Sequence, residues 1–170
     1  MKGAIATHWD KIEQSLSQYA PDVLNSLRPG ATVSQVSQAE QTLEIELPMD
    51  VVISYLLHDG QERYGGGLFY RRWSLLSIEG IVSEWQGWMS LARNGEAYWH
   101  QLWIPIAHDF GGNNYSIDLD PHLGDDIGRI IHTDHETISE IESVVASSLQ
   151  ELLFQLASDL ETGEYNFLDL

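Results

Sequence analysis

Asp118-Leu-Asp120-Pro-His122, followed by Asp125 and Asp126, spaces oxygen- and nitrogen-bearing side chains as a loop does when it closes around a hard cation. Counted from Asp118 as position one, Asp120, His122 and Asp126 take positions three, five and nine of a twelve-residue calcium loop. The match then fails. Position six, where the chain must turn sharply on a glycine, is Leu123, and position twelve, where a bidentate glutamate closes the site, is Arg129. A cation there would meet a guanidinium, so the stretch reads as a strand end and a turn, with no metal at Asp118 or Asp120. Of the seven histidines, His132 and His135 have ligand-like spacing. Residues three apart on an extended segment point to opposite faces, and a third ligand would have to come from elsewhere. That pair reads as part of a loop before the last helix, and His58-Asp59-Gly60 as a helix stop rather than a catalytic dyad.

Other chemistries lack their parts. No serine sits in a Gly-x-Ser-x-Gly elbow, the two lysines, Lys2 and Lys11, lie on the first helix, and the glycines at 65 to 67 are not followed by the Lys-Ser or Lys-Thr of a phosphate loop. Acidic pairs are numerous, so a carboxylate- or metal-dependent hydrolase stands as a remote alternative, but nothing singles out one pair. No catalytic, cofactor-binding or metal-binding residue is assigned. Trp85 and Trp88, three apart on a helical stripe, read as core. Tyr98-Trp99, between Asn94-Gly95 and a strand, is expected to be half exposed, where aromatic side chains anchor protein interfaces.

The elements that must position these residues are readable from their periods. Ile5, Trp9, Ile12, Leu16 and Tyr19 recur at helical spacing before Pro21. After Arg28-Pro29-Gly30, Thr32 and Gln35 stand at capping-box spacing before Val36, Ala39 and Leu43, and Asp50 is expected to cap a short third helix that stops near Gly60. "LFYRRWSLLS" predicts a strand or hairpin arm, and Ser77 opens a peripheral helix with Ile81, Trp85, Trp88 and Leu91 on its stripe. "LWIPIA", "NYSIDL" and "GRIIHT" predict an antiparallel meander. Ile141, Val145, Leu149, Leu152, Leu156 and Leu160 predict one long final helix ending at Gly163. Helices, a block of strands and a final helix make an α+β domain.

The chain has 170 residues, suiting one domain over 1–170, and no cysteine, which excludes disulfides, thiolate metal sites and cysteine nucleophiles and fits a cytoplasmic location. No signal peptide and no bilayer-length apolar run is found, so no membrane association is expected. Charge is the strongest compositional signal, with 8 Lys and Arg against 26 Asp and Glu, a net of −18. Residues 1–93 carry 7 bases and 11 acids, whereas residues 94–170 carry one base, Arg129, and 15 acids. Nucleic-acid binding needs clustered cations to displace counterions, and Arg71-Arg72 is the lone adjacent pair. An anionic protein instead attracts basic partners.

Read in order, "HWDKIEQSL", "LRPGATVSQVSQAEQTLEIELPMDVVISYLLHDGQ", "GLFYRRWSLLSIEGIVSEW", "WIPIAHDFGGNNYSIDLDP" and "ASSLQELLFQLASDLETGEY" resemble the SUKH superfamily over about residues 8 to 165. One departure is "LEIELP", where Glu44 stands in place of the glycine usual after that leucine. The resemblance implies a bent, mostly antiparallel sheet flanked by N-terminal helices and a long C-terminal helix, and supplies no catalytic centre or cofactor. Many bacterial members of that superfamily are similar to immunity proteins that block polymorphic toxins, and a eukaryotic member regulates yeast cell-wall synthesis. The first expectation is therefore a cytosolic immunity protein that binds and neutralises a basic toxin, such as a nuclease. The alternative is a regulatory or scaffolding adaptor of the same fold acting on a cellular enzyme. Asp120, Asp125 and Asp126, beside Gly124, are the expected electrostatic patch, with Tyr98 and Trp99 as anchors.

Overall fold

A computed structural model describes residues 2–62, 66–70, 72–96, 98–135 and 143–163. Four helices precede the sheet. Ile5, Trp9, Ile12 and Leu16 share one face of α1 (Lys2–Tyr19) and are at most 1% exposed, which gives a long helix with a single apolar stripe one fixed seat. Pro21, which has no N–H to lose at a helix start, opens α2 (Pro21–Ser26), a short element that the sequence periods do not resolve. α3 (Val33–Leu43) begins in the expected capping box: Thr32 Oγ1 accepts from the Gln35 N–H at 3.2 Å, and Gln35 Oε1 accepts from the Thr32 N–H at 2.8 Å. α4 (Met49–Leu57) has Pro48, not Asp50, at its N-cap. The Asp50 carboxylate instead accepts from the N–H of its neighbour Val51 and, across the fold, from the Gln150 N–H, both at 3.0 Å.

The strands are β1 (Ser74–Leu75), β2 (Trp103–His108), β3 (Asn114–Asp118), β4 (Arg129–Thr133) and β5 (Ser143–Ala146), hydrogen-bonded in that order with every neighbouring pair antiparallel. The meander is as the sequence predicts. Among the described residues of "LFYRRWSLLS", Ser74–Leu75 is strand, and Phe69 and Trp73 form an isolated bridge before it. Because β1 and β2 are antiparallel, α5 (Ile78–Arg93) between them is a peripheral helix and not a crossover. Ser77 caps it by accepting from the Gly80 N–H at 3.0 Å.

The last element differs from expectation. α6 spans Leu149–Thr162, with Ser148 as its N-cap, and Val145 belongs to β5, paired beside β4. Ile141 lies outside the described residues. Two adjacent β-branched residues, Val144 and Val145, followed by Ser147-Ser148, favour a strand and then a helix start over one continuous helix. Leu149, Leu152, Leu153, Leu156 and Leu160 of α6 are at most 1% exposed, packing with α1 and one face of the sheet in the main core. On the other face Trp88, Trp99, Trp103 and Ile131 form a satellite cluster. No helix among the described residues is long and apolar enough to cross a membrane.

Candidate interaction surface

The polar residues that invited a chemical reading are engaged by the chain itself. Asp118 is buried and sits opposite Arg129 in the β3–β4 register. Its Oδ2 accepts from Arg129 Nη2 at 3.0 Å and Nε at 3.3 Å, its Oδ1 from the Asp120 N–H at 3.2 Å. The guanidinium that disqualifies the calcium loop is thus the carboxylate's actual partner. Asp120 accepts from the His122 N–H at 2.9 Å and caps the 3-10 segment Pro121–Asp126, which is broken at Gly124 (φ 61°, ψ −119°). His132 stands edge-on to Trp73, ring centroids 5.1 Å apart, while His135 is held through Nδ1 by Asn113 Oδ1 at 3.1 Å, so the two rings do not converge. Among the described residues no three His, Asp or Glu side chains are grouped to hold a metal.

His58-Asp59-Gly60-Gln61 is a structural knot. His58 Nε2 lies 2.8 Å from Glu13 Oε1 and Nδ1 lies 3.2 Å from the Arg28 carbonyl, while Asp59 accepts from the Ile78 N–H at 2.7 Å, next to the start of α5. Gln61 Oε1 accepts from the Leu68 and Leu75 N–H groups at 3.0 and 2.9 Å, and its Nε2 donates to Ser26 Oγ at 2.8 Å and the Gly66 carbonyl at 2.9 Å. Nothing in the sequence motif signals that Gln61 ties three segments together, because a buried amide bonding distant backbone has no local spacing signature. Burial first, and the Asp59 charge second, push the Tyr55 phenol well above the ordinary range.

Among the described residues, the exposed acids singled out by the sequence lie at one end of the sheet, the end where Trp103 of β2 faces Asp118 of β3. There the Leu119 N–H donates to the Leu102 carbonyl at 3.0 Å, and Leu102 also lines a cavity of about 500 Å³ between α3 and α5, floored by Ile45, Trp85 and Met89. Gly128, which closes the acidic turn, packs on Pro48; a Cβ on it would lie 3.7 Å from that ring. The 44–49 connector, the 98–102 loop and the 120–128 turn therefore share this end. Asp125, Asp126, Glu44 and Glu46 are exposed here, Asp120 is half-buried, and Met49, Ile127 and Tyr98 expose apolar surface among them.

Tyr98 is 52% exposed, as its place after a turn predicts. Trp99 is not, at 6%. Its indole stacks on Trp88, 5.0 Å and 9° apart, meets Trp103 edge-on, and donates from Nε1 to the Trp103 carbonyl at 3.1 Å. A satellite core lacking aliphatic bulk takes the ring inward, so Trp99 buttresses the loop and leaves Tyr98 as its exposed aromatic. Trp85 is partly buried and Trp88 buried, as the helical stripe predicts, whereas Leu91 of the same stripe is exposed.

Several known proteins are similar in sequence to this chain. The chain is 32% identical to the cell wall biosynthesis/cell cycle regulator smi1 of Schizosaccharomyces pombe over 95% of its length and 37% of the relative's. It is 28% identical to the glucan synthesis regulatory protein of Neurospora crassa (97% of this chain, 40% of the relative) and 25% identical to the cell wall assembly regulator SMI1 of Saccharomyces cerevisiae (95% and 41%). The chain thus spans about two-fifths of the length of the curated relatives it matches. The model of the SMI1/KNR4 family (SUKH-1) matches residues 30–155, from the connector before α3 into α6, and this chain belongs to that family.

Proposed function

We propose that this chain is a non-enzymatic regulatory adaptor that binds another protein through the acidic end of its sheet. The observation that carries the reading is that relatives matched over nearly the whole chain bear the names of regulators of glucan synthesis, cell wall biosynthesis or cell wall assembly. Those names favour the adaptor over toxin neutralisation, the first expectation from the sequence. By them, the regulated machinery is one that builds cell wall. The geometry supports the same reading: buried carboxylates and amides are committed to the fold, and the acids left exposed are grouped with apolar side chains, the arrangement of a recognition surface with a charged rim. Asp125 and Asp126 set the encounter rate with a basic partner, and Tyr98 anchors it.

The test is to cross-link the tagged chain at native abundance in its own cells, identify the partner, and measure association of the purified pair against ionic strength. One defined partner with a role in wall construction, associating more slowly and with a flatter salt dependence when Asp125 and Asp126 are both changed to Lys, is the expected result. A chain that meets no protein in cells overturns the adaptor reading, and equal rates for wild type and double variant remove the acidic turn from the binding face.

A further inference from the structure

The cavity at this end adjoins two others, one beside α5 and one around the end of α3. It shares Thr42 and Gln86 with a second cavity of about 430 Å³ running along α3 and α5, and shares Glu44 and Ile45 with a third of about 380 Å³ bounded by Glu40 and Glu46. Trp85, Met89 and Ile45 give the first cavity an apolar part within a mostly polar lining, and the charged side chains along the three cavities are four glutamates against one guanidinium, Arg93. Among the described residues, Glu44, Glu46 and Arg93 make no ion pair with the chain's own groups.

Glu44 holds its place against local preference. It is the C-cap of α3 in the left-handed region (φ 56°, ψ 38°), and the Ile45 N–H reaches back to the Glu40 carbonyl at 3.2 Å, closing the helix in a Schellman-type ending. Glycine adopts that conformation without a Cβ penalty; glutamate does not. The carboxylate makes no hydrogen bond within the described fold that would account for its presence. Its neighbour Glu40, by contrast, is used internally, accepting from the Leu47 N–H at 2.9 Å.

We infer that the α3–α5 cleft is the docking groove for a basic, partly apolar segment of the partner protein, an inference that rests on the adaptor reading. An apolar side chain of that segment lies on Trp85 and Met89. A lysine or arginine lays its alkyl stem along Ile45 and its charged head between Glu44 and Glu46, and a backbone carbonyl or an acid of the segment meets Arg93. Charge complementarity selects this occupant: a second copy of the chain would bring another net −18 to a lip that is already negative.

The probe is an acetylated peptide of alternating Leu and Lys, with Leu-Glu and Ser-Lys peptides beside it, titrated into the isotope-labelled chain. Amide shifts confined to residues 42–46, 85–93 and 101–102, with the Leu-Lys peptide alone binding, are the expected result. Glu44→Gly and Gln86→Lys should each weaken binding roughly fivefold, the scale of one lost or opposed surface charge contact, whereas Asp10→Ala, an exposed acid on α1, should leave it unchanged. Glu44→Gly should melt no lower than wild type. Shifts located elsewhere, equal binding of the Ser-Lys peptide, or equal losses in Glu44→Gly and Asp10→Ala overturn the groove. The cellular partner separates the two readings: if it binds the Glu44→Gly and Gln86→Lys variants as tightly as wild type, the groove fails while the adaptor stands.

Discussion

Arg129 stands where a calcium loop would place its closing glutamate, and in the folded chain it does for Asp118 what a cation would have done, holding the carboxylate at 3.0 Å. The mismatch visible in the sequence is therefore also the explanation of the site. Gln61 teaches the opposite lesson: its side chain bonds groups on Ser26, Gly66, Leu68 and Leu75, and nothing in the spacing of those residues announces it. Replacing it with the similarly shaped but apolar methionine strands several buried groups at once, each costing about 1–3 kcal/mol when unsatisfied, so Gln61→Met should lose at least about 3 kcal/mol in denaturant unfolding. Asp109 carries a pH signature. Burial opposes its ionisation, but the N–H groups of Gly111 and Asn113, the Asn113 side-chain amide and Arg72 together outweigh burial and hold its carboxyl below the ordinary 3.8. A carboxyl depressed by folding stabilises above its unfolded pKa, and that contribution disappears as pH falls through 3.8 and then through the folded value. Asp109→Asn should therefore flatten the acid limb of a stability-versus-pH curve and leave its shape above pH ~6 unchanged; an acid limb as steep as that of wild type would refute the assignment.

At the scale of elements, the capping box of α3, the start of α5 at Ser77 and the three-strand meander were legible because each is encoded locally, by a cap three residues from its partner or by alternation between turns. β5 was not. Val145 and Leu149 are four apart, so a helical stripe and a strand followed by a capped helix present the same apolar positions; the β-branched pair and the serines lean toward the second, and pairing with β4 secures it. Half of the candidate surface was legible in the same sense. The acids of the 120–126 turn and exposed Tyr98 follow from local sequence, whereas the cleft between α3 and α5, and the burial of Trp99, arise from packing of segments far apart in the chain. Leu152→Ala and Leu156→Ala, at fully buried positions of α6, should each cost about 2–5 kcal/mol. Ser148→Ala should cost about 1 kcal/mol, because Ser148 Oγ accepts from the Glu151 N–H at 3.1 Å at the helix start. If the helix instead ran through residues 143–148, Ser148 would be an interior position, alanine would be the better helix former, and the substitution would stabilise.

For the molecule as a whole, the balance of charge is uneven in a way the fold only partly relieves. Lys11 pairs with Glu161 at 3.0 Å, Arg28 lies 3.8 Å from both Asp59 and Glu62, Arg72 reaches Asp109 at 3.5 Å and Arg129 holds Asp118, so much of the scarce positive charge is already spent. Among the described residues, Glu44 and Glu46 of the 44–49 connector and Asp125 and Asp126 of the 120–128 turn are exposed carboxylates at one end of the sheet. Self-repulsion of this kind opposes the compact state and is screened by salt, since the Debye length shortens from about 30 Å at 0.01 M to about 10 Å at 0.1 M. The melting midpoint should therefore rise with sodium chloride, by roughly 2–4 °C for each ~1 kcal/mol relieved in a chain of this size. Exposed ion pairs would give the reverse slope, because salt weakens them. Changing Asp125 and Asp126 to Lys removes two negative charges and adds two positive ones at this end, a net change of +4, without touching a buried group. That variant should melt at or above wild type in low salt and gain less from added salt, even as it associates more slowly with a basic partner. Stability and binding would then move in opposite directions in one protein, the mark of a charge retained for recognition; a double variant that melts lower than wild type in low salt would show instead that these acids hold the turn together.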